Sequence, residues 1–196
     1  MKKSDLNKER KRSDILRAAH DVFHSDGYLG ASMDRIAEHA GVTKQTVYRY
    51  FNSKEVLFQA SLETWRSERS NSFQEELERS DPYDALIHFA IGFLELHMSE
   101  VHLAGVRLLI AEGPTAPEMT RAYYAVGPRK TEECLVRFFK THFRAEDPEY
   151  AVKMLLSTLL SMRMGVLVGL HPIPTQEELM RHAERTVAIC IKQFVD

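Results

Sequence analysis

The sequence predicts an all-α protein, and three observations carry that prediction. Apolar residues recur at spacings of three and four, the period of one helical face, in segment after segment of the 196-residue chain. Only nine Gly and seven Pro interrupt it, and many sit where helices should stop or start. Alternating runs of β-branched residues, the mark of half-buried strands, are few. We expect about nine helices: a three-helix head over residues 1–55, then a larger bundle over residues 56–196. The chain is long enough to bury a core, and its 44% hydrophobic content is ordinary for a globular protein.

The first helix is expected from about Arg12 to Ser25, with Ile15, Ala18, Ala19, Val22 and Phe23 as its core stripe and Gly27-Tyr28 as its break. The second starts after Ser32, whose hydroxyl can cap it. Met33, Ile36, Ala37 and Ala40 share one face, and Gly41 supplies the left-handed residue that ends it. Val42 can plug the angle to a third helix capped by Thr43 and buried through Val47, Tyr50 and Phe51. A small residue, a glycine turn and an apolar plug in this register make a helix-turn-helix, the unit that sets a recognition helix in a DNA major groove.

The outward side of that third helix carries the chemistry. Thr43, Lys44, Gln45, Thr46, Tyr48 and Arg49 crowd into fewer than two turns. Gln pairs bidentately with adenine, and Lys or Arg with guanine, so Lys44, Gln45 and Thr46 are the candidates for base edges. Thr43, Tyr48 and Lys54 suit phosphates, Thr43 because it stands at a positive helix N-terminus; Arg49 suits either. A solvated face with chance polar residues would explain any one of these, but poorly explains the set. The net charge is −2, yet up to Lys54 eleven Lys and Arg stand against seven Asp and Glu, which leaves +4 there and −6 beyond. A basic head on an acidic body is the split expected when one end meets phosphate. The Lys and Arg before Arg12 read equally as a solubilising tail or as an arm that orders on DNA.

The fourth helix is expected from Asn52 or Ser53, unbroken to about Arg79. Val56, Leu57, Phe58 and Leu62 pack early in it, and the later Glu63, Arg66, Glu68, Arg69, Glu75, Glu76 and Glu78 are wet. Asp81-Pro82 opens the next, followed by Leu86, Phe89, Ala90, Phe93, Leu94 and Leu96. A helix near Leu103–Ala111 stops at Gly113-Pro114. A long one from Glu118 to about Arg144 is kinked at Gly127-Pro128. Asp147-Pro148 caps an apolar helix ending near Leu170, His171-Pro172-Ile173-Pro174 is a rigid connector, and Thr175 with Glu178 forms a capping box for the last. Tyr150–Leu170 has membrane-spanning length. Lys153 and Arg163 would each cost about 2.5–3.5 kcal/mol near a bilayer centre, so a helix buried in protein is the better account.

GVTKQTVYRYFNSKEVLFQA, with Gly41-Val42, Tyr48 to Phe51 and Lys54-Glu55-Val56-Leu57, resembles the TetR family of bacterial transcription regulators. The preceding Ala18-Ala19, Phe23, Gly27-Tyr28 and Ile36-Ala37 match too. The resemblance is strong over about the first 60 residues; Val106–Pro128 resembles one C-terminal subgroup. It implies a sequence-specific regulator, most often a repressor, bound as a homodimer to a pseudo-palindromic operator on double-stranded DNA and released by a small hydrophobic or aromatic effector. A DNA-binding or interaction protein with no effector is the alternative.

Two apolar stripes, Leu155, Leu159, Met162, Val166 and Leu170, and Val187, Ile191 and Phe194, fit either burial within the chain or a dimer. The resemblance implies dimerisation through the last two helices, with Leu155, Leu159, Met162, Val166, Val187 and Ile191 at the interface. Met and aromatic side chains are usually core, but in a bundle they can line a pocket. Phe89, Phe93, His102, Arg107, Tyr123 and Met162 are the ligand candidates, with Arg107 either orienting a polar group or pairing with Glu112. Met98, Met119, Tyr124, Met154 and Met164 belong to the same wider set.

No cofactor or metal is expected. His20 and His24 stand at i, i+4 with no third ligand, and read as exposed histidines. Cys134 and Cys190 are too far apart for a scaffold and read as core thiols in a reducing cytoplasm. The charged N-terminus lacks a secretory apolar region. No nucleophile motif or phosphate loop favours an enzyme.

Overall fold

Helix boundaries in the computed structural model follow the caps and glycines of the sequence. It describes residues 3–69, 71–143 and 145–194, with the side chains of 3–4, 65–72 and 194 excepted. In chain order the helices are α1 (Lys3–Gly30), α2 (Met33–His39), α3 (Lys44–Tyr50), α4 (Lys54–Arg69), α5 (Asn71–Glu75), α6 (Pro82–His97), α7 (Glu100–Glu112), α8 (Pro117–Val126), α9 (Pro128–His142), α10 (Pro148–Leu159), α11 (Arg163–Leu167) and α12 (Gln176–Phe194). No strand occurs among the described residues.

Three boundaries differ from expectation. Helix α1 starts at Lys3 rather than near Arg12, and bends at Gly27, whose φ of 76° only a residue without Cβ adopts cheaply. The expected rod from α4 to Arg79 instead closes in α5 and a 3-10 turn, Glu76–Glu78. The apolar Pro148–Leu170 segment splits into α10 and α11 around a 3-10 turn, Leu160–Met162. Pro148–Leu167 has the length and composition to cross a membrane. Its Ala151, Val152, Leu155 and Leu159 lie in a protein core, while Tyr150, Met154 and Met164 are exposed. The expected wet Arg66, Glu68 and Arg69 and the core Phe194 have side chains outside the described residues.

The chain divides into two compact units. One is Met1–Glu68 with Gly105–Gly127; the other is Arg69–Ala104 with Pro128–Asp196. The first has its core in Ile15, Ala19, Phe23, Ile36, Val47, Leu57 and Phe58, joined by Ala116, Met119 and Ala122 of the α7–α8 segment. Phe23, Tyr28 and Phe58 form a ring cluster with centroids 5.0–5.8 Å apart. A compact unit thus reaches past the helix-turn-helix, because α8 buries its apolar face there. The second unit is built on Leu86, Phe89, Phe93, Leu94, Leu135, Phe139, Leu155, Leu159 and Val187. Burial of this kind, at about 25 cal/mol per Å² of apolar surface, is what outweighs chain entropy in each unit.

Candidate nucleic-acid interface

The α2–turn–α3 unit forms as its sequence dictates. Ser32 Oγ accepts the Arg35 N–H at 3.2 Å, capping α2. Gly41 takes φ 64°, and the Val42 N–H returns to the Ala37 carbonyl at 3.0 Å. Thr43 Oγ1 accepts the Thr46 N–H at 3.2 Å, capping α3. Val47 and Ile36 are fully buried between the helices. With its apolar side spent inward, α3 turns Thr43, Lys44, Gln45, Tyr48 and Arg49 to solvent, while Thr46 is half-buried. That is the disposition a groove-reading helix needs.

Each candidate has a local setting. The Thr43 and Thr46 hydroxyls bond each other at 2.9 Å. Lys44 Nζ lies 2.7 Å from Asp34 Oδ2 on α2, and this bond and charge hold the lysine above its ordinary pKa. The Arg49 guanidinium stands 5.7 Å over the Tyr50 ring, leaving its edge outward. Lys54, expected at a phosphate, donates instead to the carbonyls of Tyr28 (2.8 Å) and Ala31 (3.1 Å) and lies 4.6 Å over the Tyr28 ring. It closes the C-terminal end of α1, so its ammonium is already largely engaged. Arg12 adds a cation the sequence reading did not single out at the interface, 5.5 Å over the ring of Phe51, which ends α3. No spacing signal links residues 12 and 51.

The other candidate sets fare differently. Leu155, Leu159, Val166 and Val187 are buried in their own subunit, and Met162 and Ile191 are half-buried against the same core. Within one subunit Leu155, Leu159, Val166 and Val187 are thus already covered, whereas Met162 and Ile191 keep part of their surface open. The exposed side of α10–α11 is the other one, where Tyr150, Met154, Ser157, Ser161, Met164 and Val168 follow at alternating four- and three-residue steps. Among the ligand candidates, Phe89 and Phe93 stack in the second unit's core at 5.8 Å. His97 continues the series, 3.8 Å from the Phe93 ring and 4.5 Å from that of half-buried His102. Arg107 and Tyr123 belong to the first unit, as does Met119, so the six do not form one set within either unit. Glu112, offered as a partner for Arg107, accepts the Leu29 N–H at 2.8 Å. Met154 and Met164 are exposed rather than pocket-lining, and Met98 is core.

Burial lifts the Cys190 thiol to about 11, and its Sγ points at the Ala151 carbonyl; Cys134 is half-buried. The His20 and His24 rings lie 6.3 Å apart. No group of three or more His, Cys, Asp or Glu suited to a metal occurs among the described residues.

Comparison with known proteins agrees with this geometry. Residues 15–61 match the model for bacterial regulatory proteins of the tetR family, and residues 84–194 match that for the AefR-like transcriptional repressor, C-terminal domain. The chain is 29% identical over 178 residues to the HTH-type transcriptional regulator UidR of Escherichia coli K12, covering 88% of this chain and 85% of UidR. A crystal structure of a TetR-family regulator from Mesorhizobium loti superposes with TM-score 0.79 at 28% identity, over 96% of this chain and 98% of the other. The flavonoid-responsive regulator FrrA superposes with TM-score 0.78 at 28% identity, over 95% and 98%. These relatives are regulators and not enzymes. A capped recognition helix with an exposed polar flank, and family matches over both its N-terminal and C-terminal parts, place this chain in the TetR family of DNA-binding transcriptional regulators.

Proposed function

We propose that this protein is a homodimeric, cytoplasmic, ligand-responsive repressor that leaves a pseudo-palindromic operator when a small hydrophobic or aromatic effector binds. In this reading residues 1–55 engage DNA, and residues 56–196 take the effector and dimerise. The observation that carries it is the exposed polar flank of α3, Thr43, Lys44, Gln45, Tyr48 and Arg49, on a helix whose opposite side buries Val47 completely. Lys44, Gln45 and Thr46 read bases; Thr43 and Tyr48 hold phosphates; Arg49 serves either. Lys54 acts first as a clamp on α1 and has one N–H left for a phosphate.

Dimerisation falls to the exposed side of α10–α11, from Tyr150 to Val168, with Leu170 (71% exposed) and Ile189 (67%) near at hand in the sequence or on α12. So much apolar surface on two closing helices favours a four-helix interface. An aromatic effector is supported by the Phe93, His97 and His102 ring series and by the likeness to a regulator described as flavonoid-responsive.

The test uses the inverted repeat flanking the gene for this chain as a fluorescent duplex. The wild-type chain should bind it and lose it on titration with a flavonoid and aromatic panel. Gln45→Ala should relax preference at one base position by about 1–3 kcal/mol. Unchanged discrimination would remove Gln45 from the base-reading set. Wild-type binding that no member of the panel alters would favour a DNA-binding protein without an effector of that class.

A further inference from the structure

The turn that joins α1 to α2 is held from three sides by groups distant in sequence. Lys54 of α4 donates to the Tyr28 and Ala31 carbonyls. Glu112, the last residue of α7, accepts the Leu29 N–H. Its other carboxylate oxygen lies where a Cβ on Gly27 would have to go, and Gly27 is at φ 76°. Glu118 of α8 accepts from the Tyr28 hydroxyl, and burial with this carboxylate pushes that phenol up to about 12. Gly27 and Tyr28 are buried, and both glutamates are half-buried.

Of these contacts, the one from Glu112 has the widest reach. Helix α7 begins in the second compact unit and ends in the first, the division falling between Ala104 and Gly105. Glu112 and Leu29 belong to the same unit, so the grip ties a residue beyond the helix-turn-helix to the turn that leads into it. The backbone amide it grips lies three residues before Ser32, the N-cap of α2. An amide bound by a carboxylate is a charge-assisted bond, about twice as strong as a neutral one. We propose that Glu112 is a positioning residue for DNA binding: by gripping Leu29 against Gly27 it fixes the α1–α2 turn, and with it the angle at which α2 and α3 are presented to the groove. This rests on the DNA-binding role of α3. The glycine at residue 27 then has two reasons, a left-handed backbone and room for the carboxylate.

The test compares the full-length wild type with Glu112→Ala, Glu112→Gln, Gly27→Ala and the Glu112→Ala/Gly27→Ala pair, each on the flanking inverted repeat. Glu112→Ala should weaken binding at least about fivefold, the lower end of ordinary coupling between sites, with the helical circular dichroism unchanged. Glu112→Gln should recover most of that loss, since its amide oxygen still accepts the Leu29 N–H. Gly27→Ala should weaken binding too, and less so once the carboxylate is gone, so the pair falls short of the product of the singles. Wild-type affinity in Glu112→Ala, a lowered melting temperature with affinity intact, or fold-losses that multiply would each overturn the proposal. Amide hydrogen exchange supplies a readout independent of DNA. In Glu112→Ala, faster exchange should spread from Leu29 through α2 and α3; an effect confined to Leu29 overturns the proposal. Should the wild type fail to bind the repeat, the function proposed above falls, and the exchange pattern alone decides the role of Glu112.

Discussion

Replacing Thr43 probes the recognition helix at its weakest point. Helix α3 has only seven residues, and an isolated helix of that length is unstable in water. It persists because Val47 is buried and because Thr43, extended at φ −77° and ψ 151°, caps it through Oγ1. Thr43→Ala removes the bond to the Thr46 N–H and the partner of the Thr46 hydroxyl. A lost N-cap costs about 1 kcal/mol, and the orphaned hydroxyl adds up to about 1 more. At roughly 2–4 °C per kcal/mol for a chain of this size, melting should fall by about 2–8 °C. If Thr43 also holds a phosphate, the loss of a neutral bond worth about 1 kcal/mol weakens each head roughly fivefold, and two heads roughly thirtyfold. Two further variants separate cap from contact. Thr43→Ser keeps the hydroxyl and should restore both melting and binding. Thr43→Asp caps at least as well and suits the helix dipole, so it restores melting, but its charge repels phosphate and binding stays lost. Calorimetry and fluorescence anisotropy on the same preparations read the two effects. A melting temperature unmoved in Thr43→Ala, or wild-type DNA affinity in Thr43→Asp, would refute the reasoning.

The remaining predictions concern other parts of the chain. Asp34→Asn frees Lys44 for DNA and removes a repelling carboxylate, so affinity should rise and the salt dependence steepen by about 0.9 in log–log slope per head, measured from 50 to 200 mM salt. Met164→Glu with Val168→Glu should yield folded monomers by analytical ultracentrifugation, because both side chains are exposed (61% and 68%), whereas Leu155→Ala should cost about 2–5 kcal/mol of stability through a core cavity. The raised Cys190 thiol favours the protonated form in the folded state. Its contribution is therefore complete below about pH 9 and lost as pH climbs through about 11; denaturant melts across that window should converge for wild type and Cys190→Ala.

Sequence reading succeeded where interactions are local. The Ser32 and Thr43 caps, the Gly41 turn, the Asp81 and Asp147 caps and the Thr175–Glu178 box each join residues no more than five apart. Their chemistry is fixed by neighbours along the chain, so the helix-turn-helix and its exposed flank were visible before any packing was known. Where a helix is apolar on two sides, periodicity is silent about which side is inside. Leu155 and Leu159 went into the core and Met154, Met164 and Val168 to the surface, because only one side of α10 faces α9 and α12.

Residue identity and helical period thus determined the all-α class, the reading head and the capped helix ends, since these depend on bonds within one or two turns. Tertiary structure alone decided the partners of the charges. Lys44 meets Asp34 ten residues back, Lys54 meets carbonyls 23 and 26 residues back, and Glu112 reaches an amide 83 residues away. No pattern in the chain encodes such pairs; packing among the first four helices makes the two lysine contacts, and packing of the α7–α8 segment onto the same core, through Ala116, Met119 and Ala122, brings Glu112 to Leu29.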